Sequence, residues 1–494
     1  MYLSDLDLMK QKLTTEGKLN QSDILRMILN DASLEVKRLF MAVGERYYLG
    51  RHDILYHNFQ SSQVYDTVPD PNNPGQTIDL TTTVINRNNS NLHNVHPFHK
   101  LMVDQKASYI VGKPPCVIVN GDDAFQAALT EYTSDENFCD MLFDWVVGAS
   151  NKGIEWVHVY YNDAGELRCC IVPADEVVAF YDCEHQTELR DVVRFYMFDV
   201  VTGSKTLKRH KIEWWTAQDV TYYIEDEEGC YMLDPLYPCN PMPHWFDVTS
   251  VDGLEKHRKE QSFGRVPFVP LHNNSEDVSD LGGQDDDGRP QGIKSLIDAY
   301  DMISSAATND QIDLVGLYWI IQGFGGETAQ QVVKKLQINK AVCVDGADGG
   351  ISAQQVQLGV DERLKWLEML RRDIYHFGMG IDTSDEQLGN NPSGVALKFK
   401  YTQLDLKANP LILKLKMAIK ELLIFFTEDI NRKNGTEFDP SKIFITINKS
   451  MIANDSETVN MLNASRGLLP DKLLAAAHPL AAGQLFGLKD GDNV

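Results

Sequence analysis

The chain has 494 residues and carries 71 acidic against 46 basic side chains, a formal net charge of −25. That balance excludes a protein that wraps DNA or reads its grooves through a basic face. With 43% hydrophobic and 24% charged residues the composition is globular, with material for a sizeable core and roughly three domains' worth of length.

No apolar run approaches the length of about 20 residues that a membrane span needs; the most apolar stretch, Leu314 to Phe324, covers about half of one. The first residues, MYLSDLDLMKQKL, carry acids early and lack the basic-then-apolar order of a signal peptide. The eight cysteines (Cys116, Cys139, Cys169, Cys170, Cys183, Cys230, Cys239 and Cys343) are scattered and form no C-x-x-C pair, so reduced thiols and synthesis in a reducing cytoplasm are expected.

In chain order, residues 1–50 read as helix. Ser22 or Asp23 caps a segment with Ile24, Met27 and Ile28 on one face, and Asp31 or Ser33 caps a second with Val36, Leu39, Phe40 and Val43 at helical spacing. Residues 66–79 are a turn-rich loop. Residues 98–110 read as a helix stopped by Gly112, Pro114 and Pro115. From Glu155 to Pro270 the texture turns to short β-branched and aromatic runs (156–161, 169–173, 177–182, 192–199, 212–217, 220–225) separated by polar turns. This predicts a mostly antiparallel sheet. A polar, acidic loop follows at 273–290.

Helical spacing then predicts one long helix from Gly292 to Gly323, about 32 residues or about 48 Å, carrying Leu296, Ile297, Tyr300, Ile303, Ala307, Leu314, Leu317 and Ile321. Residues 324–359 hold two short β-like runs around a Gly-rich turn at 345–350. A second helix, 361–379, has Leu364, Leu367, Leu370, Ile374 and Phe377 on one stripe and charges opposite. The breaker-rich loop 382–394 comes next, then a helical pattern over 395–431 that Asn409-Pro410 interrupts, because proline lacks an N–H. A strand-like run at 443–447 precedes a helical tail. The fold class is α+β.

Candidate chemistry is sparse. His93, His96 and His99 have H-x-x-H-x-x-H spacing, which on a helix places two ligands on one face for a metal. Pro97 breaks such a helix, so ordinary loop or helix-start histidines are the better reading. Asp285, Asp286 and Asp287 lack the alternating ligands of a calcium loop and read as solvated acids. Thr202-Gly203-Ser204-Lys205 is too short for a phosphate loop, and neither G-x-S-x-G nor H-E-x-x-H occurs. Neither catalytic residue, cofactor nor metal is expected, and the reading is not an enzyme.

Four segments carry a resemblance. They are Val103-Asp104-Gln105-Lys106-Ala107-Ser108-Tyr109-Ile110-Val111-Gly112-Lys113-Pro114; Leu296-Ile297-Asp298-Ala299-Tyr300-Asp301 with Ser304; Asn391-Pro392-Ser393-Gly394-Val395-Ala396-Leu397-Lys398; and Leu404-Asp405-Leu406-Lys407-Ala408. In this order, and at this length, they resemble the portal proteins of tailed bacteriophages, in the group typified by SPP1, over nearly the whole chain.

The resemblance implies a cyclic ring of twelve copies, or thirteen when isolated, around a DNA channel at one capsid vertex. It implies a wing at 1–291, stem helices at 292–323 and 360–381, a clip at 324–359 and a tunnel loop at 382–394. A long kinked helix and return strand of the wing would follow at 395–454, and a helical crown at 455–494. The tail stops soon after His478-Pro479, where relatives continue into an acidic helix, so a short crown is expected. Partners implied are double-stranded DNA as cargo, the terminase large subunit (which supplies ATP hydrolysis), a head-completion adaptor, and the major capsid and scaffolding proteins. No membrane is involved; the implied location is the virion, after synthesis in the host cytoplasm.

The tunnel-loop candidates are Asp382, Thr383, Ser384, Asp385, Glu386, Gln387, Asn390 and Asn391, with Lys398 and Lys400 just beyond. Asp361, Glu362, Glu368 and Asp373 are candidates for the stem face toward the lumen. An acidic ring repels the duplex backbone and keeps it mobile, whereas basic contacts would hold it. The competing readings are an acidic scaffold or adaptor outside a virion and a metal-dependent hydrolase using the histidines.

Overall fold

The computed structural model describes residues 21–69, 77–85, 89–182, 188–202, 205–237, 239–251, 255–283, 292–313, 318–322, 350–354, 360–382, 394–450 and 463–464. The chain divides into two units, each discontinuous in sequence. The first comprises residues 1–48, 99–289 and 378–494; the second comprises 49–98 and 290–377.

Helices α1 (Gln21–Leu29) and α2 (Ala32–Tyr48) open the first unit. Leu25 and Ile28 of α1 are buried, while Met27, expected on the same face, is exposed. On α2 the expected stripe is not core: Val36 and Leu39 point to solvent and Tyr47 is buried instead. The hairpin β1 (Ser61–Pro69) and β2 (Thr77–Ile85) belongs to the second unit.

Helix α3 (Phe98–Val111), strand β3 (Cys116–Val119), α4 (Asp123–Thr133) and α5 (Glu136–Lys152) follow. Asp122 caps α4 by accepting the Phe125 N–H, and Asp135 caps α5 by accepting the Asn137 N–H. Gly153 ends α5 at φ +91°; a Cβ there would collide with the Asp277 carbonyl, so only glycine lets the 273–280 loop lie against the helix end.

The predicted antiparallel texture is present as two sheets. Strands β4 (Ile154–Tyr161), β5 (Leu167–Val172) and β14 (Phe268–His272) pair in the order β14-β4-β5. Strands β6 (Val177–Tyr181), β7 (Leu189–Thr202), β8 (Lys205–Trp215), β9 (Asp219–Glu225) and β10 (Tyr231–Leu233) form a meander, with β11 (Met242–Pro243) added to β9. Strands β12 (Trp245–Val251) and β13 (Glu255–Gln261) form a separate ribbon. Helix α1 packs Leu25 and Ile28 on Val178, Val193, Ile212 and Tyr223 of the meander.

In the second unit, helix α6 spans Lys294–Asp313 and strands β15 (Tyr318–Gln322) and β16 (Gly350–Gln354) pair antiparallel. This corrects the single helix expected from 292 to 323: its last residues are a strand. The run Tyr318-Trp319-Ile320-Ile321 is aromatic and β-branched, and a strand partner at 350–354 decides in favour of β. The Gly-rich turn between them lies outside the described residues. Helix α7 (Val360–Phe377) follows, with Leu370 and Ile374 buried as expected but Leu364 and Phe377 exposed.

Helix α8 (Gly394–Asn434) returns to the first unit and runs through Pro410 without interruption. Pro410 sits on the exposed side, while Leu404, Ala408, Leu411 and Leu415 on the opposite side are buried in the main core and carry the helix across it. That core joins α3, α4, α5, β4, β14 and α8. Strand β17 (Ile443–Thr446) pairs with β3. No described helix is long and apolar enough to cross a membrane, and the six cysteines among the described residues are free.

Candidate functional site at the base of the 382–394 loop

The described chain reaches the loop through Gly378–Asp382. Met379 in this stretch has φ +55°, a left-handed conformation that a non-glycine residue adopts only when its surroundings hold it. Two side chains grip the backbone on either side of it. Lys407 of α8 donates to the Gly378 carbonyl at 2.9 Å. Gln105 of α3 donates to the Ile381 carbonyl at 2.8 Å and accepts the Ile381 N–H at 3.0 Å. An amide side chain that makes both bonds to one residue replaces a strand partner and fixes where the loop leaves the body.

Beneath this grip lies a buried ionic cluster. Lys106 and Lys407 both reach Asp280, at 3.0 and 3.3 Å. Lys106 also donates to Asn273 Oδ1 at 2.6 Å, and Asn273 donates to Asp280 Oδ1 at 3.0 Å. The Asp280 N–H reaches the Ser150 carbonyl at the end of α5, so the acidic segment is folded in over Asn273–Asp280 rather than wholly solvated. Asp285, Asp286 and Asp287 lie outside the described residues. Burial alone would raise the Asp280 carboxyl, but the charges of Lys106 and Lys407 hold it well below the usual range. Burial pushes Lys106 down to about 8, against the pull of Asp280.

Beside the cluster, the Tyr109 hydroxyl donates to Asp405 at 2.7 Å, Lys449 also binds Asp405, and the Tyr109 and Tyr401 rings stack. Burial, then the bond to Asp405, raises the Tyr109 phenol beyond its ordinary range. The first and fourth sequence segments therefore meet: Gln105, Lys106 and Tyr109 from one, Asp405 and Lys407 from the other. Sequence reading marked both segments without seeing their contact. The available signal was Lys106 itself, a lysine between Val103, Ala107 and Ile110 on an apolar helix face.

The second segment lies in the other unit and does different work. Along α6, Asp301, Ser305, Asn309 and Asp313 recur every four residues. They accept the backbone N–H groups of His96, Asn94, Leu92 and Ser90, at 3.0, 2.9, 2.8 and 2.9 Å. An extended strap advances about 6.6 Å per two residues and a helix about 6 Å per four, so every second strap amide meets the next polar side chain. Asp301, fully buried, also accepts from His52 Nδ1 at 2.6 Å and His96 Nδ1 at 2.7 Å. His93 bonds the His57 carbonyl and His99 bonds Asn151. The three histidines thus serve three different partners, and among the described residues no group of His, Cys, Asp and Glu is placed to hold a metal ion.

The remaining candidates fall as follows. Asp382 ends the described stretch; Thr383, Ser384, Asp385, Glu386, Gln387, Asn390 and Asn391 lie outside the described residues, and Lys398 and Lys400 lie on the first turns of α8. On α7, Asp361, Glu362 and Glu368 are exposed and Asp373 is half-buried beside Arg372. At 3.6 residues per turn these four do not share a face. Asp361 and Glu368 align with exposed Lys365 and Arg372, so that stripe alternates in sign instead of being acidic.

The family described as phage portal protein, SPP1 Gp6-like, matches residues 28–484. The chain belongs to the SPP1 Gp6-like family of phage portal proteins. It is 30% identical to the portal protein of Bacillus phage SPP1 over 440 residues, covering 88% of this chain and 80% of that one. It is 28% identical to the portal protein of Clostridium phage phiCD119 over 420 residues, covering 80% of this chain and 84% of the relative. Among solved structures, the neck of a native GTA particle computed with C12 symmetry aligns at TM-score 0.38 and 11% identity, over 78% of this chain and 90% of that one. The neck of the empty GTA particle, computed with C6 symmetry, aligns at 0.37 with the same coverage. Portal proteins are structural components of phage capsids; in this chain the groups around Asp280 are spent on one another and, through Lys407, on the Gly378 carbonyl.

Proposed function

We propose that this portal-family chain assembles as a cyclic ring, twelve copies in the virion and thirteen when isolated, at one capsid vertex, and that double-stranded DNA enters and leaves through its centre. In this reading α6 and α7 frame the channel as stem. The strands from Tyr318 to Gln354 belong to the clip, which docks the terminase large subunit and then a head-completion adaptor. The wing is built from residues 1–291 and 395–454, the crown from 455–494, and the capsid and scaffolding proteins seat the ring. The protein acts in the virion and is made in the host cytoplasm.

The observation that carries the proposal is the double grip at the base of the 382–394 loop. Gln105 holds both backbone groups of Ile381 and Lys407 holds Gly378, across a residue in a left-handed conformation. A loop that must meet moving DNA needs a rigid root, while its tip, acidic at Asp382, Asp385 and Glu386 and rich in Gly and Asn, needs freedom and no affinity for phosphate.

The test is electron microscopy of the purified protein with a packaging assay on a phage carrying a deletion of 383–391. Expected are rings with a central hole from both forms, and capsids that stay empty with the deletion. Filled capsids would remove the loop from the mechanism, and a monomeric wild-type protein would remove the ring.

A further inference from the structure

Helix α8 is buried on one side and bare on the other. Its bare side carries Leu406, Pro410, Leu413 and Met417, spaced four, three and four apart on one stripe. Leu406, Leu413 and Met417 are 64%, 65% and 72% exposed; a lone exposed apolar side chain needs no explanation, but a row of them on one stripe marks an interaction surface. Lys414 and Lys416 flank the stripe on its two sides and Lys420 continues it. None of these three lysines has an acidic partner among the described residues, whereas Lys407, Lys433 and Lys449 of the same region are all paired. Glu421, at the end of the stripe, lies under the charge of Arg265.

A matching surface exists on the same unit. Helix α5 presents Glu136, Asp140 and Asp144 four residues apart on its outer side, with half-buried Phe143 and Val147 beside them. These acids have no cationic partner among the described residues, and Asp144 feels it: burial, then the neighbouring Asp140 charge, raises its carboxyl. The acids span about 12 Å along α5 and the lysines about 9 Å along α8. Both helices turn their inner sides into the same core, so both outer sides look away from it and cannot meet within one copy.

We propose that the bare stripe of α8 docks on the acidic ridge of α5 in the next copy of this chain, a head-to-tail contact. Two different complementary surfaces on one molecule generate a ring when the rotation closes, and on a chain of net charge −25 a basic-flanked apolar stripe suits an acidic ridge whose charges are unspent among the described residues. The contact deepens the ring reading and rests on it.

The experiment is mixing of charge-reversed proteins, read by mass photometry and native mass spectrometry. One variant carries Lys414→Glu, Lys416→Glu and Lys420→Glu; the other carries Glu136→Lys, Asp140→Lys and Asp144→Lys. Alone, each meets its own kind with like charges, and the concentration for half-assembly should rise at least tenfold. Mixed in equal amounts, the reversed stripe meets the reversed ridge and the native stripe meets the native ridge. Assembly should then return to within threefold of wild type, in species alternating the two chains. Wild-type-like assembly of either variant alone overturns the contact. So does a mixture that stays unassembled while each variant melts cooperatively. Should a triple variant fail to melt cooperatively, the double reversals Lys414→Glu/Lys420→Glu and Asp140→Lys/Asp144→Lys replace it in the same mixing. A wild-type protein that forms no ring overturns the ring reading instead, and this contact with it.

Discussion

Asp280 is the residue on which the loop's root depends, because two lysines share its charge inside the protein. Removing one partner of such a group costs about 3–5 kcal/mol, since the remaining charges stay buried without compensation. Asp280→Ala, which strands two lysines, is therefore expected to lower the denaturant midpoint far more than Lys106→Met combined with Asp280→Asn, which leaves one lysine, Lys407, without its carboxylate. Gln105→Ala tests the grip separately. It strips both backbone groups of Ile381, and the Ile381 amide should exchange at least tenfold faster in hydrogen-exchange measurements while global stability falls by about 1–2 kcal/mol. Glu155, buried beside Lys152, supplies a pH dependence: burial raises its carboxyl to about 7. The unfolded chain releases that proton near the ordinary value of 4.5, so between pH 4.5 and 7 the native state holds more protons and loses stability as pH rises. Glu155→Gln removes the effect, and its stability relative to wild type should grow by up to about 3 kcal/mol between pH 4.5 and 7, measured by urea unfolding at both ends. The partnerships of Asp280 and of Gln105 are not legible in sequence. The types are visible, a lysine on an apolar stripe or a glutamate opening a strand, but Gln105 and Ile381 are 276 positions apart, and nothing local names the partner.

Elements were legible where a single periodicity ruled them and illegible where two competed. Helix α3 stops where Gly112 and the prolines say it should, and the β texture from Glu155 onward became antiparallel sheets as expected. Helix α6 was overextended because apolar residues continue at helical spacing past Asp313; the strand Tyr318–Gln322 exists only by pairing with a segment beyond a long intervening stretch. The strap at 90–96 shows the opposite failure. With no regular structure of its own it reads as a loop of ordinary histidines, yet it is held at four alternate amides by the polar row of α6. Asn309 makes both bonds to Leu92, donating to its carbonyl at 2.9 Å and accepting its N–H at 2.8 Å. Asn309→Ala should raise the exchange rate of the Ser90, Leu92 and Asn94 amides at least tenfold while leaving the amides of α8 unchanged. Acceleration confined to Leu92 would mean that the four bonds act one by one and not as a strap.

At the scale of the whole molecule the question is what the acidic balance does to DNA. In the proposed ring of twelve copies, a net charge of −25 per chain becomes roughly −300, a field that opposes lasting contact with a polyanion. The surface of α7, proposed above as stem, tempers this, since Asp361, Lys365, Glu368 and Arg372 alternate along one stripe and leave it close to neutral. Repulsion in a channel is therefore expected to concentrate at the loop, where Asp382, Asp385 and Glu386 stand without a basic residue between 382 and 394. Reversing these three charges is the direct measurement. Each phosphate that a lysine neutralises steepens the dependence of log K on log salt by about 0.9. Assembled wild-type protein should show no retained duplex at about 0.15 M salt, a regime in which even basic proteins bind non-specifically with Kd of about 10⁻⁴ to 10⁻⁶ M. The triple Asp382→Lys, Asp385→Lys, Glu386→Lys protein should retain duplex in fluorescence anisotropy with a slope steeper by at least about 3, and capsids built with it should fill incompletely because the cargo is now held. An unchanged slope would place the loop away from DNA. A steeper slope with normal filling would show that the charge of the loop does not govern movement, leaving its rigid root as the feature that matters.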